Sequence, residues 1–206
     1  MIEIVLGVTG SIGAYKAADL VRLLKERGCG VSCVLTKEAE QFITPLTLQA
    51  LSERRVYRDL FSLEEAAVAH TQLADRASVL VIAPATANVI AKLAHGLADD
   101  LLTCVALATK APVLLAPAMN VHMYEHPTTQ ENLKRVKALG HQTVGPQVGK
   151  LACGYDAMGH VAEVEDIAEA VLRLAGGNSR ARHQIVSGRR RSSGAARAPR
   201  RHARAD

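Results

Sequence analysis

The stretch P-V-L-L-A-P-A-M-N-V-H-M-Y, from Pro112 to Tyr124, sets a lone amide side chain, Asn120, between Met119 and Met123. It follows an aliphatic run, Val113 to Ala116, that reads as a buried strand, and ligands of open parallel sheets sit beyond the carboxyl ends of the strands. An amide at that point either faces a ligand or satisfies the backbone of its own turn. A second candidate is Cys153, in the Gly-rich stretch from Gly145 to His160, which is too irregular to read as an element and has the length of a lid. A thiol in such a loop is placed for chemistry, whereas Cys29, Cys33 and Cys104 fall within regular elements. A third is the turn T-G-S-I-G, Thr9 to Gly13. The amides of Gly10 to Ile12, the Ser11 hydroxyl and the dipole of the following helix can hold a phosphate, or the glycines can serve a tight turn with nothing bound. His70 stands alone, and a lone histidine says little by itself.

The elements that position these groups follow from periodicity. Ile2 to Val8 is a short apolar run of β-type residues, and a helical pattern runs from Ala14 to Arg27 after the Gly-rich turn, which makes the first unit of a doubly wound α/β fold. Gly7, Gly10 and Gly13 are spaced G-x-x-G-x-x-G, unlike the dinucleotide fingerprint G-x-G-x-x-G. The second strand, Val31 to Leu35, ends in Thr36 and Lys37 where a dinucleotide site needs an acidic residue. A mononucleotide therefore suits the pattern better than NAD. Thr44 to Leu51 reads as a helix begun by Pro45, and Arg54 to Leu60 is ambiguous. Ser78 to Ala83 is aliphatic throughout, as a strand covered on both faces must be, and it delivers Pro84-Ala85-Thr86-Ala87-Asn88 to the sheet edge before a helix through Leu93. Thr128 to Leu139 reads as a helix stopped by Gly140, His141 to Val144 as a last strand, and Val164 to Ala175 as a closing helix. The expected fold is a single three-layer α/β domain over residues 1–175, a Rossmann-like or flavodoxin-like doubly wound parallel sheet. Residues 176–206, rich in Arg, Gly, Ser and Ala, have the composition of a disordered tail.

Composition narrows the function further. The 206 residues are 49% hydrophobic, enough to bury a substantial core, with four Tyr, two Phe and no Trp. So few aromatic faces argue against a stacking platform for single-stranded nucleic acid. The net charge of +5 is concentrated in nine Arg after position 179, and the remainder carries a slight acidic excess of about −3. The tail reads as a solvated extension more readily than as a nucleic-acid or membrane-surface arm. No C-x-x-C pair or zinc spacing is present, so no metal is expected. Unpaired thiols and a strand-like start at Ile2 suggest a reducing cytoplasm. Lys110, Pro112 and Pro117 break the apolar run Leu101 to Val121, which is better read as a buried helix and strand than as a membrane span.

With these residues assembled, the chain resembles the flavin-dependent cysteine decarboxylases over roughly residues 3–175. P-A-T-A-N-V at Pro84 to Val89 is similar to the family's P-A-S-A-N-T flavin motif. P-A-M-N-V-H-M-Y at Pro117 to Tyr124 is similar to its P-x-M-N-x-x-M-W motif, with Tyr124 in place of Trp. His70 falls where the family keeps its active-site histidine, and L-A-C-G at Leu151 to Gly154 resembles its substrate clamp.

The resemblance implies FMN held by Gly10, Ser11 and Ile12 at its phosphate, with Thr36, Thr86, Ala87, Asn88, Val89 and Met119 around it. It implies Asn120 as the ligand of the substrate carboxylate, Ala152 and Cys153 as substrate contacts in the clamp, His70 as a participant in oxidative decarboxylation, and Cys153 as the proton donor. Its chemistry is oxidation of a cysteine thiol by the flavin, which creates the electron sink that decarboxylation needs, then return of hydride and proton. The clamp cysteine points to the family members that act on 4'-phosphopantothenoylcysteine in coenzyme A biosynthesis, ahead of those that decarboxylate peptidyl cysteine. A non-catalytic flavin-binding regulatory subunit is the other alternative. Family members are homotrimers, or homododecamers built from trimers, with His70 expected to serve a neighbour's site. Bacterial members are commonly fused to phosphopantothenoylcysteine synthetase; here the Arg-rich tail stands in that domain's place, and a separate synthetase is a partner that the resemblance allows. One departure stands in the clamp: Tyr155-Asp156-Ala157-Met158-Gly159-His160 replaces an acidic residue followed by G-x-G-[RK], so a mostly neutral histidine takes the place of a fixed positive charge.

Overall fold

Strict alternation along three aliphatic strands builds the molecule. The computed structural model describes residues 1–61, 69–150 and 156–177. Strands β1 (Ile2–Val8), β2 (Cys29–Leu35), β3 (Val79–Ala85), β4 (Val113–Pro117) and β5 (Gln142–Thr143) form one parallel sheet in the order β2-β1-β3-β4-β5. Ile4, Leu6 and Val8 of β1, Val79 and Val81 of β3, and Leu114 and Ala116 of β4 pack on one face. Val5, Leu80, Ile82, Val113 and Leu115 pack on the other. Both faces are buried, which is why these strands read as continuous apolar runs.

Helices α1 (Lys16–Glu26), α2 (Pro45–Ser52) and a last helix over residues 164–177 cover the first face, through residues such as Leu20, Leu24, Leu48, Ile167 and Val171. Helices α3 (Ala69–Arg76), α4 (Ala87–His95), α5 (Leu101–Ala108) and α7 (Pro127–Ala138) cover the second, with the short α6 (Val121–Glu125) ahead of α7. This is the three-layer doubly wound arrangement expected from the sequence. Local chemistry sets the helix starts: the Thr44 side chain accepts from the Thr47 amide with Pro45 in the first turn, and Asp100 and Thr103 form a reciprocal capping box at α5.

Two differences from the sequence reading are informative. The stretch after Gly145 is not wholly irregular: β6 (Gln147–Lys150) and β7 (Asp156–His160) pair antiparallel into a separate two-stranded ribbon, joined through residues 151–155, which lie outside the described residues. Its glycines and short segments hide the period-two signal that a ribbon depends on. The ambiguous segment after Arg54 contributes a single parallel bridge, Tyr57 to Val34, extending the β2 edge.

Close packing also explains a glycine in β2. The Arg54 guanidinium forks the Glu3 carboxylate, with Nη2 to Oε1 at 3.2 Å, and the pair lies flat across Gly30, where a Cβ would collide with it. The Arg54 hydrogen bond holds the Glu3 carboxyl below its ordinary value of 4.5 against the opposing effect of burial. A depressed carboxyl contributes stability above its unfolded value and loses it as pH falls through the folded value. Thermal unfolding followed from pH 6 to pH 3 is therefore expected to show a fall in midpoint below about 4.5 that is shallower in Glu3→Gln. Because both side chains are about one-third exposed, the difference between the curves is expected to be modest, under about 1 kcal/mol.

Candidate active site

The strand order reverses between β1 and β3, and this is where open α/β sheets take their ligands. A cleft of about 270 Å³ lies at that carboxyl edge, lined by Thr9, Gly10, Ser11, Thr36, Glu38, Thr86, Ala87, Asn88, Val89, Ala118, Met119 and Met123. Three separate turns, those after β1, β3 and β4, and the end of β2 therefore converge on one space.

Thr9 holds the first two turns together. Its hydroxyl donates to the Pro84 carbonyl at 2.7 Å and accepts from the Thr86 amide at 3.1 Å, and the residue is 1% exposed. The Thr9 carbonyl in turn accepts from the Ser11 amide at 2.8 Å. The Ser11 N–H is thus committed to its own turn, which leaves its hydroxyl, already accepting from the Gly13 amide at 3.4 Å, as the group it can offer as a donor. Ile12 opens a short helical turn, Ile12–Tyr15, that runs into α1, and its side chain is 60% exposed, away from the cleft lining. Glu38 presses so closely on Gly10 that a Cβ there would collide with it, so only glycine permits this approach of the two loops.

On the other wall, Thr86 caps α4 by accepting from the Val89 amide at 3.4 Å, so the first turn of that helix faces the cleft. Thr36 accepts from the Ala39 amide at 3.3 Å and is buried at the end of β2. Asn120 accepts at Oδ1 from the His122 amide at 2.9 Å, which starts α6. That bond turns Oδ1 toward the helix and puts the donor nitrogen on the opposite side. Asn120 thus does satisfy its turn, and the same bond orients its amide.

The ribbon meets this turn directly. The Met119 amide donates to the Gly159 carbonyl at 3.0 Å, and a Cβ on Gly159, at φ +136°, would strike the Met119 carbonyl. Gly149 lies under the His160 side chain, with a Cβ position 3.1 Å from it. Cys153 and Ala152, in the connection between β6 and β7, lie outside the described residues. His70 sits on the second residue of α3, half-buried, and among the described residues it is not part of the cleft lining. Burial pushes the Cys33 thiol up to about 12. Burial, helped by Glu3, raises Cys29, and burial with the Asp100 and Asp99 charges raises Cys104. In all three the shift disfavours the thiolate, the nucleophilic form.

The cleft thus joins Gly10, Ser11, Thr36, Thr86 to Val89 and Met119, as the motifs suggested, and adds Thr9, Glu38, Ala118, Met123 and the contact with Gly159. A threonine directly after a buried strand at the switch point is a weak signal for Thr9. Gly159 had one in the G-x-G remnant of the clamp motif.

A parallel sheet in this order, with a helix-start loop and an apolar wall sharing one edge cleft, defines a flavodoxin-like mononucleotide-binding protein. Sequence comparison agrees and is more specific: the Flavoprotein family matches residues 1–176, and the chain belongs to that family. It is 46% identical over 166 residues to the coenzyme A biosynthesis bifunctional protein CoaBC of Bacillus subtilis, covering 80% of this chain and 41% of that one. The chain thus spans about two-fifths of the length of the CoaBC relatives it matches. It is 44% identical to a probable phosphopantothenoylcysteine decarboxylase of Streptococcus mutans, over 82% of this chain and 96% of the relative. Among solved structures it superposes on a PPC decarboxylase Cys-to-Ser mutant complexed with pantothenoylaminoethenethiol at a TM-score of 0.73 and 32% identity, covering 82% of this chain and 96% of that one. The FMN binding protein AtHal3 gives a TM-score of 0.72 at 34% identity, over 82% and 94%.

Replacing Thr9 by Val removes both hydroxyl bonds and leaves the Pro84 carbonyl and Thr86 amide without it, at a cost of about 1–3 kcal/mol per buried group. Flavin titration of the stripped protein is expected to show affinity at least about tenfold weaker in Thr9→Val, and within about threefold of the parent in Thr9→Ser, which keeps the hydroxyl.

Proposed function

We propose that this chain is an FMN-dependent phosphopantothenoylcysteine decarboxylase, converting 4'-phosphopantothenoylcysteine to 4'-phosphopantetheine and CO₂. The observation that carries this reading is the Met119–Gly159 main-chain bond, which fastens the ribbon to the turn of Asn120, the residue after the cleft-lining Met119.

The residues present fit the cofactor. The Ser11, Thr36 and Thr86 hydroxyls and the Gly10 amide, with the Ile12 amide that follows, suit a phosphate and polar chain, and Val89, Ala118, Met119 and Met123 offer an apolar wall for a flat ring. Ala87 and Asn88 complete the first turn of α4 beside it. FMN supplies an acceptor for the two electrons of thiol oxidation and returns them after CO₂ has left, so that one proton is consumed overall.

The protein's own part is to bind, orient and move protons. The Asn120 donor nitrogen, set by the His122 amide, engages the substrate carboxylate. Cys153, on the connection between β6 and β7, is assigned the delivery of the final proton to the product carbon, as the clamp motif implies. Ala152 beside it is a substrate contact. His70, which among the described residues is not part of the cleft lining, is assigned to the oxidative step in a neighbouring copy, and the assembly is a trimer or a dodecamer of trimers, both as the family resemblance implies. Phosphopantothenoylcysteine synthetase is its partner in the pathway, supplying the substrate. The free Cys29, Cys33 and Cys104 suit a reducing cytoplasm.

Turnover of 4'-phosphopantothenoylcysteine followed by CO₂ release tests this directly, and a flavin-loaded protein without turnover would refute it. In a single anaerobic turnover, Cys153→Ser is expected to release CO₂ at a rate within about tenfold of the parent, leave the flavin reduced and accumulate the unsaturated enethiol product, because the weaker acid fails at the last proton transfer. Mass spectrometry of the product, two mass units below 4'-phosphopantetheine on loss of two hydrogens, reads the outcome.

A further inference from the structure

The cleft offers an anion hydroxyls and amides but no counter-charge. Among the described residues it is lined by no Lys, Arg or His, and Glu38 is its one charged side chain. Glu38 stands two residues after Thr36, the buried residue at the end of β2, and caps the short helical turn Ala39–Gln41. Its Cα and carbonyl carbon lie 3.3 and 3.1 Å from the place a Cβ on Gly10 would take, and its own Cβ is closer still. Bond lengths added to that contact keep the carboxylate within about 8 Å of the Gly10 amide, about one Debye length at physiological salt. The other walls bring nothing to neutralise it. The turn after β1 gives Thr9, Gly10 and Ser11, the start of α4 gives Thr86 to Val89, and α6 gives Met123. On its own segment Lys37 is exposed and off the lining, and Glu40 is paired with Arg58 at 3.3 Å.

We propose, resting on the FMN reading of this cleft, that Glu38 is a specificity-determining residue for the charge of the cofactor: it favours FMN whose phosphate keeps one proton over the fully ionised form. A free phosphate monoester loses its second proton near pH about 6. Beside a like charge that proton leaves later. The penalty from Glu38 is therefore smallest below about pH 6 and grows as pH rises above it. Glu38 is exposed, so solvent screens the effect and keeps it modest.

Glu38→Gln removes the charge and keeps the shape that rests on Gly10. Both flavin-free proteins are titrated with FMN and with riboflavin, by quenching of flavin fluorescence, at about pH 6 and about pH 8. Between these, the FMN affinity of the parent is expected to fall at least about threefold relative to Glu38→Gln, while the two proteins bind riboflavin alike at both. Salt at about 1 M, where the Debye length is about 3 Å, is expected to close the gap. The same pH dependence in both proteins, or a gap untouched by salt, overturns the proposal. So does weaker binding of both flavins in Glu38→Gln, which makes the carboxylate a ligand of the hydroxyl chain instead. Should Glu38→Gln fail to fold, Glu38→Ser, with less bulk beside Gly10, takes its place under the same expectations. If the parent binds neither flavin, the flavin reading falls by itself, and inorganic phosphate replaces the cofactor as probe. At about pH 8 phosphate should then raise the melting temperature more in Glu38→Gln than in the parent, and equal rises overturn the role of Glu38.

Discussion

A single buried hydroxyl, that of Thr9, governs the geometry of the cleft. The loops after β1 and β3 leave the sheet side by side, and each must turn its backbone amides to the same space. Thr9 satisfies both a carbonyl and an amide of the second loop while its own carbonyl shapes the first. A hydroxyl can donate and accept at once, and in a site shielded from water each such bond costs most when it is missing. Holding these loops in register before any ligand arrives is what lets the cleft bind with little ordering cost.

The rest of the site is built by close approach. Gly10 admits Glu38, and Gly159 admits the Met119 carbonyl, so the phosphate-type loop and the ribbon each touch a wall of the cleft through positions with no side chain. Asn120 spends one half of its amide on the start of α6 and gains a fixed direction for the other half. Burial inside β2 raises the Cys33 thiol to about 12, and burial raises Cys29 and Cys104 as well.

Much of this was legible in the sequence because it rests on local pattern. Unbroken aliphatic runs at Ile2 to Val8, Ser78 to Ala83 and Val113 to Ala116 can only be strands buried on both faces, and that requires helices on both sides. The turns that follow them carry their small and polar residues at fixed offsets, so Gly10, Ser11, Thr86 and Met119 could be placed at one edge. What escaped was set by contacts distant in sequence. Thr9 meets Pro84 and Thr86 across 75 and 77 positions, and Gly159 meets Met119 across the whole of α7. The ribbon escaped because its strands are short and interrupted by glycine. The Glu3–Arg54 fork over Gly30 likewise joins three segments that no local window contains.

The central claim is that the clasped loops form a site for a flavin that carries a phosphate. Titrating the flavin-free protein in parallel with FMN and with riboflavin, by quenching of flavin fluorescence, measures it most directly. Charge-assisted contacts at the Gly10 to Ile12 loop, at about 1.5–3 kcal/mol each, predict about one FMN per chain and riboflavin bound at least about 100-fold more weakly. Equal affinity for the two ligands, or no binding of either, would contradict the account.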